Sequence, residues 1–341
     1  MAANIVRSDP AAEGIRRRRR GRGFSYLGTD AAVIKDSQIL TRIRSLVIPP
    51  AWEDVWICAD PLGHIQAIGT DAAGRRQYRY HDLWREQRDQ AKHDRVRGFG
   101  AALPRIRKIV CRHLEGRGLT RDRVLAAAIR LIDLGFFRPG GEEYAEENGT
   151  FGLATIRKEH VTLTHGQLVF EYPAKGAKQR EQAVAEDQVC AVVRSLRRRR
   201  DGGDQLLVYR SGPRWHDVTA ADINDYLREV SGGEYTAKDF RTWHATVLAA
   251  VGLAVSESAA GREAGRKRAI ARVVREVADY LGNTPAVARA SYIDPRIIER
   301  YEEGRTIASA LGELGKDCDF GDLATRDHAE KAVLRLLARR A

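Results

Sequence analysis

The sequence predicts an α+β protein: a small N-terminal antiparallel β-sheet domain, then a larger, mainly α-helical domain that carries a β-hairpin. Three observations lead there. Up to about residue 81, short runs alternate in polarity with a period of two. Through most of the remainder, apolar residues recur with helical period. One alternating segment, His160–Lys178, interrupts the helices. At 341 residues, 43% of them hydrophobic, the chain is long enough for two domains with real cores.

Residues 1–22 are polar and end in five consecutive arginines, Arg16–Arg20. Like charges in a run repel, so a disordered basic arm is expected there. The β-rich domain is expected over 23–90. Its strands read as "VWICAD" (Val55–Asp60), "HIQAIGT" (His64–Thr70) and "RRQYRYH" (Arg75–His81), with "PLG" and "DAAG" as turns. Leu83–Leu114 reads as helix, with a break at Gly98-Phe99-Gly100.

The helical domain is expected over 91–341. "RDRVLAAAIRLIDLGFF" (Arg121–Phe137) has strong helical periodicity and stops at Arg138-Pro139-Gly140-Gly141. His160–Lys178 alternates on both sides of His165-Gly166, which marks a hairpin. Further helices read as Gln182–Arg199, Ala220–Val230, Lys238–Val251, Gly261–Leu281 and Thr325–Arg339. Between the last two lies "LGNTPAVARASYIDPRIIERY" (Leu281–Tyr301). Pro295 opens a helix but cannot sit inside one, so Tyr292 falls at a helix boundary. A tyrosine there either packs under a loop or projects into a cleft.

The formal charge is +12 and the isoelectric point about 9.7, with arginine far outnumbering lysine. A guanidinium is a planar fork that matches phosphate oxygens, so a polyanion such as nucleic acid is a natural partner. A GC-rich genome gives the same bias, and composition alone does not separate the two. Cys58, Cys111, Cys190 and Cys318 are scattered, with no CxxC or CxH pair, so neither zinc nor a disulfide framework is suggested. No apolar leader or membrane-length apolar run is present, and a soluble cytoplasmic protein is expected. The P-loop, HExxH, EF-hand and GxSxG patterns are absent. No cofactor and no metal are therefore expected, and phosphate chemistry would rely on fixed cations.

Arg138 before a tight turn, Lys175 in "FEYPAKGAK" and Arg241 in "KDFRTWHA" supply such cations at structured edges. Each alone is unremarkable. In this order, however, "RIRSLVIPPAWEDVWIC", "GRRQYRYH", "IDLGFFRPG", "FEYPAKGAK", "KDFRTWHA" and "LGNTPAVARASYIDPRIIERY" resemble segments of the type IB DNA topoisomerases, in their short bacterial and poxvirus-like form. The resemblance runs from about Gly23 to Gly304. It implies Tyr292 as a nucleophile that forms a 3′-phosphotyrosyl link. It implies Arg138 and Arg241 as holders of the non-bridging oxygens and Lys175 as the acid for the departing 5′ oxygen. Where the family usually has histidine, in a "GHTP"-like context, this chain has Asn283 in "GNTP". An amide still donates a hydrogen bond to phosphate but carries no charge.

The resemblance also sets "GRRQYRYH" against the DNA major groove. Gln77, Tyr78 and Tyr80 are candidate DNA contacts, the glutamine with adenine and the tyrosines with base edges or phosphates, and Arg75, Arg76 and Arg79 candidate phosphate contacts. Ordinary strand aromatics would read the same way. The implied partner is double-stranded DNA, clasped between two domains by a monomer at the nucleoid. Two other readings stay open. A tyrosine recombinase uses a similar residue set, but usually has HxxR where this chain has Lys238-Asp239-Phe240-Arg241. A non-catalytic DNA-binding protein is the other.

Overall fold

A polar run can still form a strand when its alternate side chains face water, and the arginine run does so. The computed structural model describes residues 4–135, 137–140, 149–174, 178–256, 263–311 and 327–338, which divide into two units, Met1–Asp94 and Arg95–Ala341. In the first unit β1 (Ile15–Arg20) pairs antiparallel with β2 (Gly23–Leu27), in register from Arg16 opposite Leu27 to Arg20 opposite Gly23. The arm expected to be disordered over residues 1–22 instead forms a strand from Ile15 to Arg20, and before it Val6 and Ser8 hydrogen-bond to Leu62 and His64. The ladder's backbone hydrogen bonds need no apolar side chain, and Ile15 anchors the strand at 4% exposure. Arg17 lays its guanidinium 4.2 Å over the Phe24 ring and donates to the carbonyls of Pro49 and Trp52. The other four arginines of the strand are exposed.

β3 (Glu53–Ile57), β4 (Ile65–Thr70) and β5 (Arg76–Tyr80) complete an antiparallel sheet of order β2-β1-β3-β4-β5. Helix α1 (Ser37–Ser45) starts at Asp36, whose carboxylate accepts from the amides of Gln38 and Ile39. Its Ile43 packs with Ile15, Val55, Ile57 and Ala67 into one small core. The division between the units falls within α2 (Asp82–Leu114), a single helix. It continues without interruption over Gly98-Phe99-Gly100, where a break was expected. These glycines serve close approach instead: a methyl group on Gly100 would lie 2.6 Å from the Trp243 ring.

In the second unit α3 (Arg121–Gly135) is buried along most of its length. Strands β6 (Val161–Thr164) and β7 (Gln167–Ala174) turn at His165-Gly166, as expected, and β7 pairs onward with β8 (Lys178–Val184). The helix expected from Gln182 consequently begins only at Asp187, as α4 (Asp187–Arg198). A hairpin of β9 (Val208–Ser211) and β10 (Arg214–Asp217), not foreseen, precedes α5 (Ala220–Ser231). Then follow α6 (Ala237–Val255), α7 (Glu263–Leu281), α8 (Pro285–Ser291), α9 (Pro295–Glu302), α10 (Ala308–Leu311) and α11 (Asp327–Ala338). Helix α6 is buried on every side, which makes it the axis of this unit. Among the described residues no helix is long and apolar enough to cross a membrane.

A buried ionic cluster fixes α6 against its neighbours. Arg107 on α2 donates in a fork to Asp133 on α3, at 2.8 and 2.9 Å, and in a second fork to Glu330 on α11, at 2.6 and 2.9 Å. His244 on α6 meets Asp133 at 3.1 Å, and the neighbouring Trp243 donates to Glu330 at 3.3 Å. Burial alone would hold the Asp133 proton on, but Arg107 and His244 outweigh it and keep this carboxyl below the usual carboxylate range. Glu330→Ala takes from buried Arg107 one of its two forked carboxylate partners. Chemical denaturation should show a loss of about 3–5 kcal/mol, and a loss under about 1 kcal/mol, the scale of an exposed pair, would mean the cluster does not hold α11.

Candidate active site

Two prolines set the position of Tyr292. Pro285 and Pro295 each occupy a helix's first turn, where their missing N–H goes unneeded. Thr284 caps α8 and Asp294 caps α9, so the chain must turn between them, and Tyr292 is the C-terminal cap of α8. Its amide donates to Ala288 O at 3.0 Å, and the Thr246 hydroxyl of α6 donates to its carbonyl at 3.4 Å. Asp294 N donates to the same hydroxyl at 3.2 Å. Ile293 is buried in the core at 1% exposure. With its backbone tied to α6 and its neighbour taken inward, the half-buried Tyr292 ring faces Arg241 of that helix. The guanidinium carbon stands 5.3 Å from the ring centroid.

The end of α7 organises the cations. Gly282 takes a left-handed φ of +62°, so that Asn283 N reaches back to Ala278 O at 2.8 Å and Gly282 N to Asp279 O at 3.0 Å. This is a Schellman cap, and it satisfies those two carbonyls while leaving the next ones open. Arginines take them. Arg241 donates to Leu281 O at 2.8 Å, and Arg138 to Gly282 O at 3.1 Å. Arg180 of β8 makes a longer contact with Tyr280 O, at 3.5 Å. The negative end of the α7 dipole favours all three cations.

Asn283 joins the group through its side chain. Arg138 can only donate, so the bond of 2.8 Å to Asn283 fixes the amide oxygen toward Arg138. The amide nitrogen then points the other way and is buried, with no hydrogen-bond partner among the described residues. One side chain thus accepts from an arginine and keeps a donor for a ligand.

The electrostatics suit a nucleophilic phenol. Burial by itself raises the Tyr292 pKa. The charge and hydrogen bond of Arg241, reinforced by Lys238 and Arg138, outweigh burial and bring the phenol below its ordinary value. Arg241, 2% exposed, is itself pushed down to about 10 by burial and then by the like charge of Arg138, with Tyr292 acting in the opposite direction. Beside this group opens a cavity of about 520 Å³, lined in part by Arg138, Arg180, Gly282 and Asn283. Among the described residues no group of His, Cys, Asp or Glu is arranged to hold a metal.

Four expected residues, Tyr292, Arg138, Arg241 and Asn283, therefore come together around one helix end. Lys175 lies outside the described residues, between Ala174 and Lys178, which pair across β7 and β8. Arg180 was not singled out from the sequence, because "KQREQ" has no feature that marks it. The six N-terminal candidates form a separate group in the first unit. Tyr78 and Tyr80 are exposed and stack at 6.1 Å on one face of β5, the face Arg76 shares by alternation. Gln77 and Arg79 alternate to the other face. Asp71 accepts from Gln77 at 2.9 Å and from Arg75 at 3.0 Å, and Arg79 pairs with Asp82 at 3.6 Å. The pleat thus splits a surface that the sequence reads as one.

The chain matches two family models: "Eukaryotic DNA topoisomerase I, catalytic core" over residues 81–313, and "Bacterial DNA topoisomerase IB, N-terminal domain" over residues 23–71. It is similar to a DNA topoisomerase 1B of Acanthamoeba polyphaga mimivirus, with 30% identity over 85% of this chain and 88% of that protein. It is also similar to a DNA topoisomerase 1B of vaccinia virus, with 21% identity over 80% of this chain and 82% of the viral one. A DNA topoisomerase 1 of Candidozyma auris is 30% identical over 46% of this chain and 20% of its own length.

The depressed phenol can be tested without DNA. An alkaline absorbance titration, wild type minus Tyr292→Phe, should isolate a tyrosine that ionises below the ordinary value of about 10. Arg241→Met removes the adjacent cation and should move that ionisation upward. The sign carries to the reaction: the phenolate fraction rises with pH through the lowered pKa, so the rate of any attack by Tyr292 should level off below the ordinary tyrosine value.

Proposed function

The chain belongs to the type IB DNA topoisomerases, and from that premise we propose that it relaxes supercoiled DNA by cutting and rejoining one strand through a 3′-phosphotyrosyl link at Tyr292. As a member of that family it is a DNA topoisomerase, an isomerase. The observation that most supports the mechanism is the Tyr292 phenol beside buried Arg241, with Arg138 and Asn283 gathered at the same end of α7.

In the proposed step the Tyr292 oxygen bonds to phosphorus and the bond from phosphorus to the 5′ oxygen breaks. Lys175, in the role the family resemblance implies, gives the departing 5′ oxygen its proton. Arg138, Arg241 and the Asn283 amide take the charge that builds on the non-bridging oxygens. The free end rotates. The 5′ hydroxyl then attacks the same phosphorus, its proton returns to Lys175, and the phenolate leaves. The bond energy is held in the phosphotyrosine, so the cycle needs no ATP. Fixed cations neutralise the phosphate, so it needs no metal. At neutral pH a free tyrosine is phenolate in about one molecule per thousand, which is why the lowered pKa of Tyr292 counts.

Duplex DNA is the proposed partner, bound by a monomer at the nucleoid. Affinity resting on phosphate contacts should fall steeply with salt. Relaxation of a supercoiled plasmid, with EDTA and no ATP, tests the whole reading. Wild type should relax supercoils and trap covalently on the DNA when denatured mid-reaction, and Tyr292→Phe should do neither. Arg138→Ala and Arg241→Ala should each lose about 10²–10³ in rate, or about 2.7–4 kcal/mol. Relaxation by Tyr292→Phe would place the nucleophile elsewhere. Transfer of a strand between two duplexes would favour the recombinase reading, and binding with no covalent adduct the non-catalytic one.

A further inference from the structure

We propose that Arg180 is a further DNA-binding residue, whose guanidinium takes a phosphodiester next to the reacting one, in the cavity it shares with Arg138 and Asn283. The inference rests on the reading that Tyr292 acts on DNA.

Arg180 is held unlike a structural arginine. It lies on β8 opposite Tyr172. One terminal nitrogen makes long contacts, to Gly135 O at 3.4 Å, Gln182 Oε1 at 3.4 Å and Tyr280 O at 3.5 Å. Among the described residues its buried Nε has no hydrogen-bond partner. Glu181 and Asp279 also line the cavity, yet both are exposed, and among the described residues no carboxylate forms an ion pair with Arg180.

Arg107 in the same unit shows the alternative. It too is largely buried, but two carboxylates grip it in forks, and their charge raises its pKa against the effect of burial. Burial lowers the Arg180 pKa, the Tyr172 phenol acts in the other direction, and the like charge of Arg138 adds a smaller lowering. A desolvated guanidinium without an acidic partner is an anion site in waiting.

The cavity gives the anion its place. It contains Arg138 and Asn283 but reaches neither Tyr292 nor Arg241. Because the attacking phenol and Arg241 do not line the cavity, the phosphate held by Arg180 is assigned to the neighbour of the one under attack, with Arg138 and Asn283 between the two. Gly282 keeps the approach open, since a side-chain carbon there would stand 3.1 Å from the other terminal nitrogen of Arg180. An arginine so placed secures the strand beside the cut without joining the chemistry.

The test uses the full chain carrying Tyr292→Phe, so that binding is not followed by cleavage. Affinity for a duplex oligonucleotide is measured by fluorescence anisotropy over about 50–200 mM salt. Arg180→Gln can still donate to the carbonyls but has lost the charge. It should flatten the slope of log K against log salt by about 0.9, the share of one phosphate contact. A folded Arg180→Gln protein with the parent's slope overturns the proposal.

Should that variant not fold by circular dichroism, Arg180→Lys decides. Weaker DNA binding at an unchanged melting temperature supports the contact, and the parent's affinity overturns it. Plasmid relaxation by wild type is run alongside. Failed relaxation with a flattened slope removes the mechanism and leaves the contact. Relaxation with an unchanged slope removes only the contact.

Discussion

Guanidiniums crowded beside a phenol repel one another, and carboxylates brought in to calm them would also repel a phosphate. The second unit meets this constraint with backbone carbonyls. The cap at Gly282 closes two hydrogen bonds of α7 and presents the oxygens of Tyr280, Leu281 and Gly282 to Arg180, Arg241 and Arg138. A carbonyl at a helix end carries only part of a charge. It orients an arginine without cancelling it, and the group stays positive where an anion is to bind.

Other features of the unit serve that arrangement. The left-handed turn at Gly282 is open to glycine and hostile to a side chain, both by conformation and by the nearness of Arg180. Helix α6 must bring Arg241 to Leu281 O and Thr246 to the backbone of Tyr292 and Asp294 at once, so its position admits little play. Carboxylates gather instead around Arg107, where Asp133 of α3 and Glu330 of α11 meet His244 and Trp243 of the same α6 helix. The protein thus separates two kinds of arginine: one neutralised to brace the fold, the other left charged.

Much of this was legible in the chain. Pro295 places Tyr292 at a boundary because proline tolerates only a helix's first turn, and the described structure has it there. The long periodic helices and the turn at His165-Gly166 follow from side-chain spacing alone. What failed did so for identifiable reasons. Arg16–Arg20 looks too charged to pack, but a strand asks for backbone partners and one anchored end, which Ile15 provides. Gly98 and Gly100 look like helix breakers, and only the Tyr235 hydroxyl beside Gly98 and the Trp243 ring beside Gly100, both far away in sequence, show that they make room. Arg180 was invisible because its contacts are carbonyls 45 and 100 residues away, and a carbonyl has no residue type. Gln77 and Arg79 fell on the opposite face from Tyr78 because the quoted motif hides the pleat.

The forked contact between Arg107 and Glu330 spans 223 positions of the chain. Synthesis runs from the N-terminus at about 5–20 residues per second, so Arg107 leaves the ribosome roughly 10–45 s before its second carboxylate exists. For that interval the axis helix lacks the brace that α11 supplies. Order of manufacture thus becomes order of assembly: the cationic pocket acquires its final support only after nearly every residue that lines it has been made.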